Sequence, residues 1–232
     1  MLTRLRFSVS ERLLHWAFAL GYLALLASGL PLMFPALRGL IRGYTPVVGV
    51  RLHLAAAVVW VAATLAVVAL GDRRRLRATG RELARLGRAD AAWLRHFPRW
   101  LVTAAAERAR LDRGVARFNA GQKVNALFTA ATAALLLVTG LALTPVAADG
   151  TSVAALLTGP GSVGWWSATH RWLTVLVLLP VAGHIYLASL HPPTRPALGG
   201  MLDGRVDADW AAAHHPRWPA EPGDAGERRD AA

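Results

Sequence analysis

Four blocks of this chain carry no charged residue: residues 13–33, 52–70, 124–146 and 172–190. Each has the length a helix needs, roughly 20 residues, to cross a bilayer core about 30 Å thick. In lipid every backbone N–H and C=O must find its partner within the segment, which favours helices. The pattern therefore predicts an all-α fold: an integral membrane four-helix bundle over residues 1–200, with a basic loop at 71–123 and a polar tail at 201–232. Composition agrees, with 54% hydrophobic and 17% charged residues. The absence of cysteine excludes disulfides and cysteine-held iron–sulfur clusters within the chain. Ser10 is expected to cap the first helix, and Gly29, Pro31 and Pro35 to close it. The first block is too long for a cleavable leader and lacks a small-residue cleavage site. Pro180 lies inside the fourth block and predicts a kink there.

Basic residues set the expected orientation. Fourteen of the 26 Lys and Arg lie in residues 71–123, with three more before the first span and five after the fourth. Only Arg38, Arg42, Arg51 and Arg171 fall on the other side. The positive-inside rule then places both termini and the long loop in the cytoplasm, and the protein in a bacterial cytoplasmic (inner) membrane. A net charge of +12 is thus read as topology, with anionic membrane lipids as a secondary partner. No recognition motif accompanies the charge, so nucleic acid is not expected as a partner. In the loop, Trp93, Phe97, Trp100 and Leu101 interleave with Arg95, His96 and Arg99, the pattern of an amphipathic helix lying at the membrane surface. From Asp203 the tail is polar and Pro-rich and is expected to be extended or disordered without a partner.

Histidines interrupt the apolar blocks at matched depths. His53 and His170 lie at the outer ends of spans two and four, and His15 and His184 at the inner ends of spans one and four. His170 and His184 are fourteen residues apart. That is about 21 Å along a helix and nearly four whole turns, so both face one way. Two imidazoles at one depth, from different helices, are what a bis-histidine haem iron requires. The arrangement points to two b haems, an outer one on His53 and His170 and an inner one on His15 and His184. Ionisable groups within a membrane are costly and usually functional. Two other readings use the same residues: interfacial histidines bonded to water or carbonyls, and a proton relay, though the blocks contain no Asp or Glu to complete one. His191 reads as an interfacial anchor, and His96, His214 and His215 have no obvious metal partners.

Four stretches carry a resemblance. "RFSVSERLLHWAFALGYLALLASGLPLMFP" from Arg6, "RFNAGQKVNALFTAATAALLLVTGL" from Arg117, "HIYLA" from His184 and "MLDGRVDADWAAAHHPRWPAE" from Met201 together resemble the gamma subunit family of respiratory formate dehydrogenase. That family belongs to a wider group of di-haem b cytochromes serving hydrogenases and thiosulfate or polysulfide reductases. The resemblance implies two haem b groups, ligated by His53 with His170 and by His15 with His184, in agreement with the depths. It also implies a quinone site (menaquinone or ubiquinone) near the inner haem at Asn119 and Gln122, with His184 close by. Asn119 could equally cap the third span, Gln122 bind water, and Lys123 serve a haem propionate or a lipid phosphate. The implied partners are an iron–sulfur (beta) subunit, a molybdenum or tungsten catalytic (alpha) subunit and the quinone pool. The implied role is electron transfer, since nothing in the chain itself resembles a formate site. The alternatives are the cytochrome subunit of another oxidoreductase of that group, or a haem-free membrane anchor.

Overall fold

A computed structural model describes residues 2–147 and 149–219. The order is β1 (Thr3–Leu5), α1 (Val9–Met33), α2 (Pro35–Gly39), α3 (Pro46–Leu70), α4 (Arg73–Ala84), α5 (Arg88–Val102), α6 (Ala105–Leu111), α7 (Ala120–Leu143), α8 (Val153–Thr158), α9 (Val163–Ile185), α10 (Leu198–Leu202), β2 (Arg205–Asp207) and α11 (Ala208–His214). α1, α3, α7 and α9 are long and apolar enough to span a membrane. Many of their apolar side chains face outward, as Val58, Leu65 and Leu179 do.

Short polar side chains start these helices. At α1 the backbone N–H of Ser8 donates to the Glu11 carboxylate (2.7 Å) and Glu11 N–H reaches back to Ser8 Oγ (3.4 Å), a reciprocal cap. Ser8 rather than Ser10 is thus the cap. Ser10 instead accepts from the Asp72 N–H at 2.9 Å. Thr45 accepts from Val48 N–H (3.2 Å) one residue before Pro46, whose missing donor is harmless in a first turn. α9 stays helical through Pro180 and ends in a π turn, Tyr186–Leu190, where His191 N–H donates to Tyr186 C=O at 2.9 Å.

Contacts divide the chain into two units. One contains Leu14–Leu70 and Thr129–Val181, most of the four long helices. Here α1 and α3 approach closely at Gly21. A Cβ on that glycine would lie 2.2 Å from Trp60 Cδ1, so only hydrogen fits. The Trp60 indole donates to Phe18 C=O (3.2 Å) and packs edge-on against Phe18 and Tyr22. Lower on α1, the Tyr44 hydroxyl donates to Ser28 C=O at 2.6 Å.

The other unit gathers Gly71–Phe128 with the chain up to Leu13 and from Ala182 onward. β1 and β2 pair antiparallel, Leu5 opposite Arg205 and Thr3 opposite Asp207. Gly204 sits before β2 at φ +92°, where a Cβ would meet Phe7 C=O at 2.6 Å, and its own carbonyl accepts from Arg6 N–H at 2.7 Å. Arg117 joins the pieces. Its guanidinium donates to Arg6 C=O (3.1 Å), to Thr79 Oγ1 (3.0 Å) and to the buried Glu11 carboxylate, with Glu82 3.6 Å away. His215 bonds Ala116 C=O at 2.7 Å. The residues before α1, those between α3 and α7 and those after α9 therefore pack into one unit.

Two expectations change here. The amphipathic helix exists as α5, but its aromatic face is not left for lipid. Trp93 and Trp100 are buried with Val115 and Ala120, and both indoles donate to Asp112 Oδ1, at 2.9 and 3.0 Å. A buried carboxylate gives the two N–H groups the partner that lipid could not. The segment after Asp203 is not extended as far as Pro219. Asp207 caps α11 by accepting from Trp210 N–H (2.8 Å), and the Arg4 guanidinium lies over Trp218, 3.7 Å from the ring centre. The rest of the predicted disordered tail, residues 220–232, lies outside the described residues.

Candidate functional site

Within the helical unit the structure brings His53 of α3 and His170 of α9 together. Their ring centres are 6.2 Å apart and their planes nearly perpendicular, at 86°. Neighbouring helices hold each ring. His53 Nδ1 lies 3.0 Å from Ser28 Oγ on α1. His170 Nδ1 lies 2.8 Å from Thr139 Oγ1 on α7. The next residue in each case is glycine. A Cβ on Gly29 would sit 3.0 Å from His53 Cε1, and one on Gly140 would sit 3.5 Å from His170 Cε1.

This donor set suits haem iron. Two imidazoles each bound to one metal at about 2 Å would set their ring centres at about this separation. No cluster of three His, Cys, Asp or Glu able to hold a metal occurs among the described residues. A pair of imidazoles from two helices matches a metal whose remaining ligands come from a macrocycle rather than from the protein. With each Nδ1 engaged by a hydroxyl, Nε2 would be the nitrogen free to ligate a metal.

The other candidates are placed as follows. His15 lies in the second turn of α1, its ring edge-on to Trp16 at 5.2 Å. His184 lies in the last turn of α9, immediately before the π turn. The two belong to different units. Asn119 caps α7: its Oδ1 accepts from Gln122 N–H (2.8 Å), and Gln122 Oε1 accepts from Asn119 N–H (3.0 Å). Their carbonyl oxygens are spent on this cap, while neither side-chain NH₂ donates to any described residue. Lys123 is committed elsewhere, bonding both Asp90 oxygens (3.0 and 3.1 Å) and Arg85 C=O (3.0 Å), so it is not held out toward a propionate or phosphate.

Of the remaining histidines, His96 is exposed on α5, while His191, His214 and His215 pack against aromatic rings. His191 is buried against Trp100 and Tyr186 and pairs with Thr194 Oγ1 at 3.0 Å, rather than standing at an interface. Burial, then Arg108, hold its imidazole below the ordinary range. Burial pushes His215 down to about 3, so it stays neutral. Ser28 and Thr139 are missing from the sequence-based candidates. The signal for them was the recurrence of hydroxyl-Gly-Leu at Ser28-Gly29-Leu30 and Thr139-Gly140-Leu141, on spans one and three.

Four membrane-length helices carrying paired imidazoles define the class of helical membrane cytochromes. The chain belongs to the prokaryotic cytochrome b561 family, whose profile matches residues 6–204. It is also similar to the formate dehydrogenase cytochrome b556(fdo) subunit of Escherichia coli K12, being 27% identical over 223 residues that cover 94% of this chain and 93% of that protein. The subunits of the same name from E. coli O6:H1 strain CFT073 and from O157:H7 match equally.

Proposed function

We propose that this chain is the di-haem cytochrome b subunit of a respiratory formate dehydrogenase, passing electrons from an iron–sulfur partner across the membrane to quinone. The observation that carries the reading is the His53–His170 pair, in a chain that aligns almost end to end with a formate dehydrogenase cytochrome subunit. When bound, haem supplies one-electron redox chemistry, which the protein positions and tunes. His53 and His170 hold the outer haem iron through Nε2. His15 and His184 hold the inner one, by the matched depths of the two positions in spans one and four. Asn119 and Gln122 offer their free amide N–H groups to a quinone carbonyl. The basic segments 71–123 and both chain ends lie in the cytoplasm, so the two protons taken up with the quinone's two electrons come from that side. The partners are the iron–sulfur and molybdenum- or tungsten-containing subunits of formate dehydrogenase, in a bacterial inner membrane.

The test is a reduced-minus-oxidised spectrum of the purified chain with pyridine-haemochrome stoichiometry, alongside His170→Ala and His15→Ala. About two b haems in the wild type and one in each variant are expected. His15→Ala should also abolish quinone reduction while dye reduction by the partner persists. Wild-type quinone reduction in His15→Ala, or no haem in folded, haem-supplied protein, sinks the reading.

A further inference from the structure

We infer that Ser28 and Thr139 are positioning residues that lock His53 and His170 in the Nδ1–H tautomer, presenting each Nε2 lone pair to the iron. This deepens the function proposed above and rests on that histidine pair holding haem. The argument counts protons. A hydroxyl has a single hydrogen to donate. The Ser28 hydroxyl donates to Ala24 C=O, one turn back on α1, at 2.8 Å. The Thr139 hydroxyl donates to Leu135 C=O, one turn back on α7, at 2.9 Å. A carbonyl can only accept, and Leu25 C=O and Leu136 C=O also lie within reach of the two hydroxyls, at 3.2 and 3.1 Å, so each hydroxyl proton has carbonyl acceptors on its own helix. With the hydroxyl protons on those carbonyls, the contacts of Ser28 Oγ with His53 Nδ1 at 3.0 Å and of Thr139 Oγ1 with His170 Nδ1 at 2.8 Å take their proton from the imidazole. A neutral imidazole protonated at Nδ1 has its lone pair at Nε2.

The device occurs twice, once for each ring, and from two helices that carry neither histidine of the pair. At Gly29 a methyl group would stand a tight 3.0 Å from His53 Cε1, whereas at Gly140 it would make ordinary contact with His170 Cε1 at 3.5 Å. A serine or threonine facing a histidine on the adjacent span thus sets the orientation and tautomer of that ring together.

An outer hydrogen bond of this kind raises ligand basicity and favours ferric iron, and losing one typically changes metal affinity 10–100-fold. The full chain, purified from membranes, is compared with Thr139→Val, Thr139→Ser and Ser28→Ala by haem stoichiometry and optical redox titration. Thr139→Val keeps the threonine shape without the hydroxyl. It should retain haem and raise one midpoint potential. A tenfold change in the ferric-to-ferrous affinity ratio corresponds to about 59 mV for one electron. Thr139→Ser should restore the wild-type value. Loss of one haem in Thr139→Val, regained in Thr139→Ser, supports the same role. Ser28→Ala reads the other imidazole and decides the matter if Thr139→Val fails to accumulate. Haem-replete variants with unchanged midpoints overturn the inference. A full haem complement in His170→Ala is a separate signature: it removes the ligand assignment itself, and this inference with it.

Discussion

Replacing Asp112 isolates the part played by one buried carboxylate in the middle loop. The residue is 3% exposed, and Oδ1 accepts from both Trp93 Nε1 and Trp100 Nε1, while Trp100 also reaches Oδ2 at 3.2 Å. Asp112→Ala leaves two buried indole N–H groups without an acceptor. Each orphaned donor costs about 1–3 kcal/mol, so a loss of about 3 kcal/mol is expected after some water entry. Asp112→Asn should cost about 1 kcal/mol, because its carbonyl oxygen can occupy the Oδ1 position and accept from both indoles. Hydrogen exchange read by mass spectrometry on peptides from α5 measures this directly. An opening free energy lowered by about 3 kcal/mol speeds exchange on the order of 100-fold in the alanine variant. The asparagine variant should exchange only about fivefold faster than wild type. Unchanged protection in Asp112→Ala, or equal losses in both variants, refutes the reasoning.

Gly21→Ala should destabilise the helical unit by about 1–3 kcal/mol, since its methyl must displace Trp60; the thermal midpoint of the detergent-purified protein reads it. Arg117→Ala strands the buried Glu11 carboxylate and should cost about 3–5 kcal/mol, seen as loss of folded protein from the membrane. Arg117→Lys should recover only part, because an ammonium cannot reproduce the fork that reaches Glu11, Thr79 and Arg6 together. His215 titrates near 3 in the fold and near 6.5 when unfolded, so the unfolded chain binds the extra proton between these values. Stability from His215 is full above about pH 6.5 and falls as pH drops toward 3. Wild type should therefore lose melting temperature relative to His215→Gln as pH falls from 7.5 to 4.5, and a difference that does not change with pH would refute the linkage.

The four spans were legible because a run of about 20 uncharged residues has few other physical uses. His53 and His170 were legible as a pair for a related reason: a histidine in such a run is conspicuous, and equal depth is a matter of counting residues. What holds those rings was not, because Ser28 and Thr139 look like ordinary small residues of a membrane helix until another helix lies beside them. Asn119 and Gln122 follow the spacing of a capping box, and that role is the one the backbone bonds display. α5 announced itself by its aromatic period, but Asp112 lies ten residues beyond its end, with no local pattern linking the two. The strand pair was least legible of all. Three residues have no period worth reading, and their partners are remote in sequence.

That strand pair has a consequence for how the molecule is made. Leu5 leaves the ribosome about 200 residues before Arg205, its partner. At 5–20 residues per second the interval is about 10–40 s. Throughout that time β1 has an open edge. All four spans are synthesised before the clasp closes. The pairing therefore acts as a late latch, and a chain interrupted before β2 keeps an unpaired strand that quality-control proteases can engage.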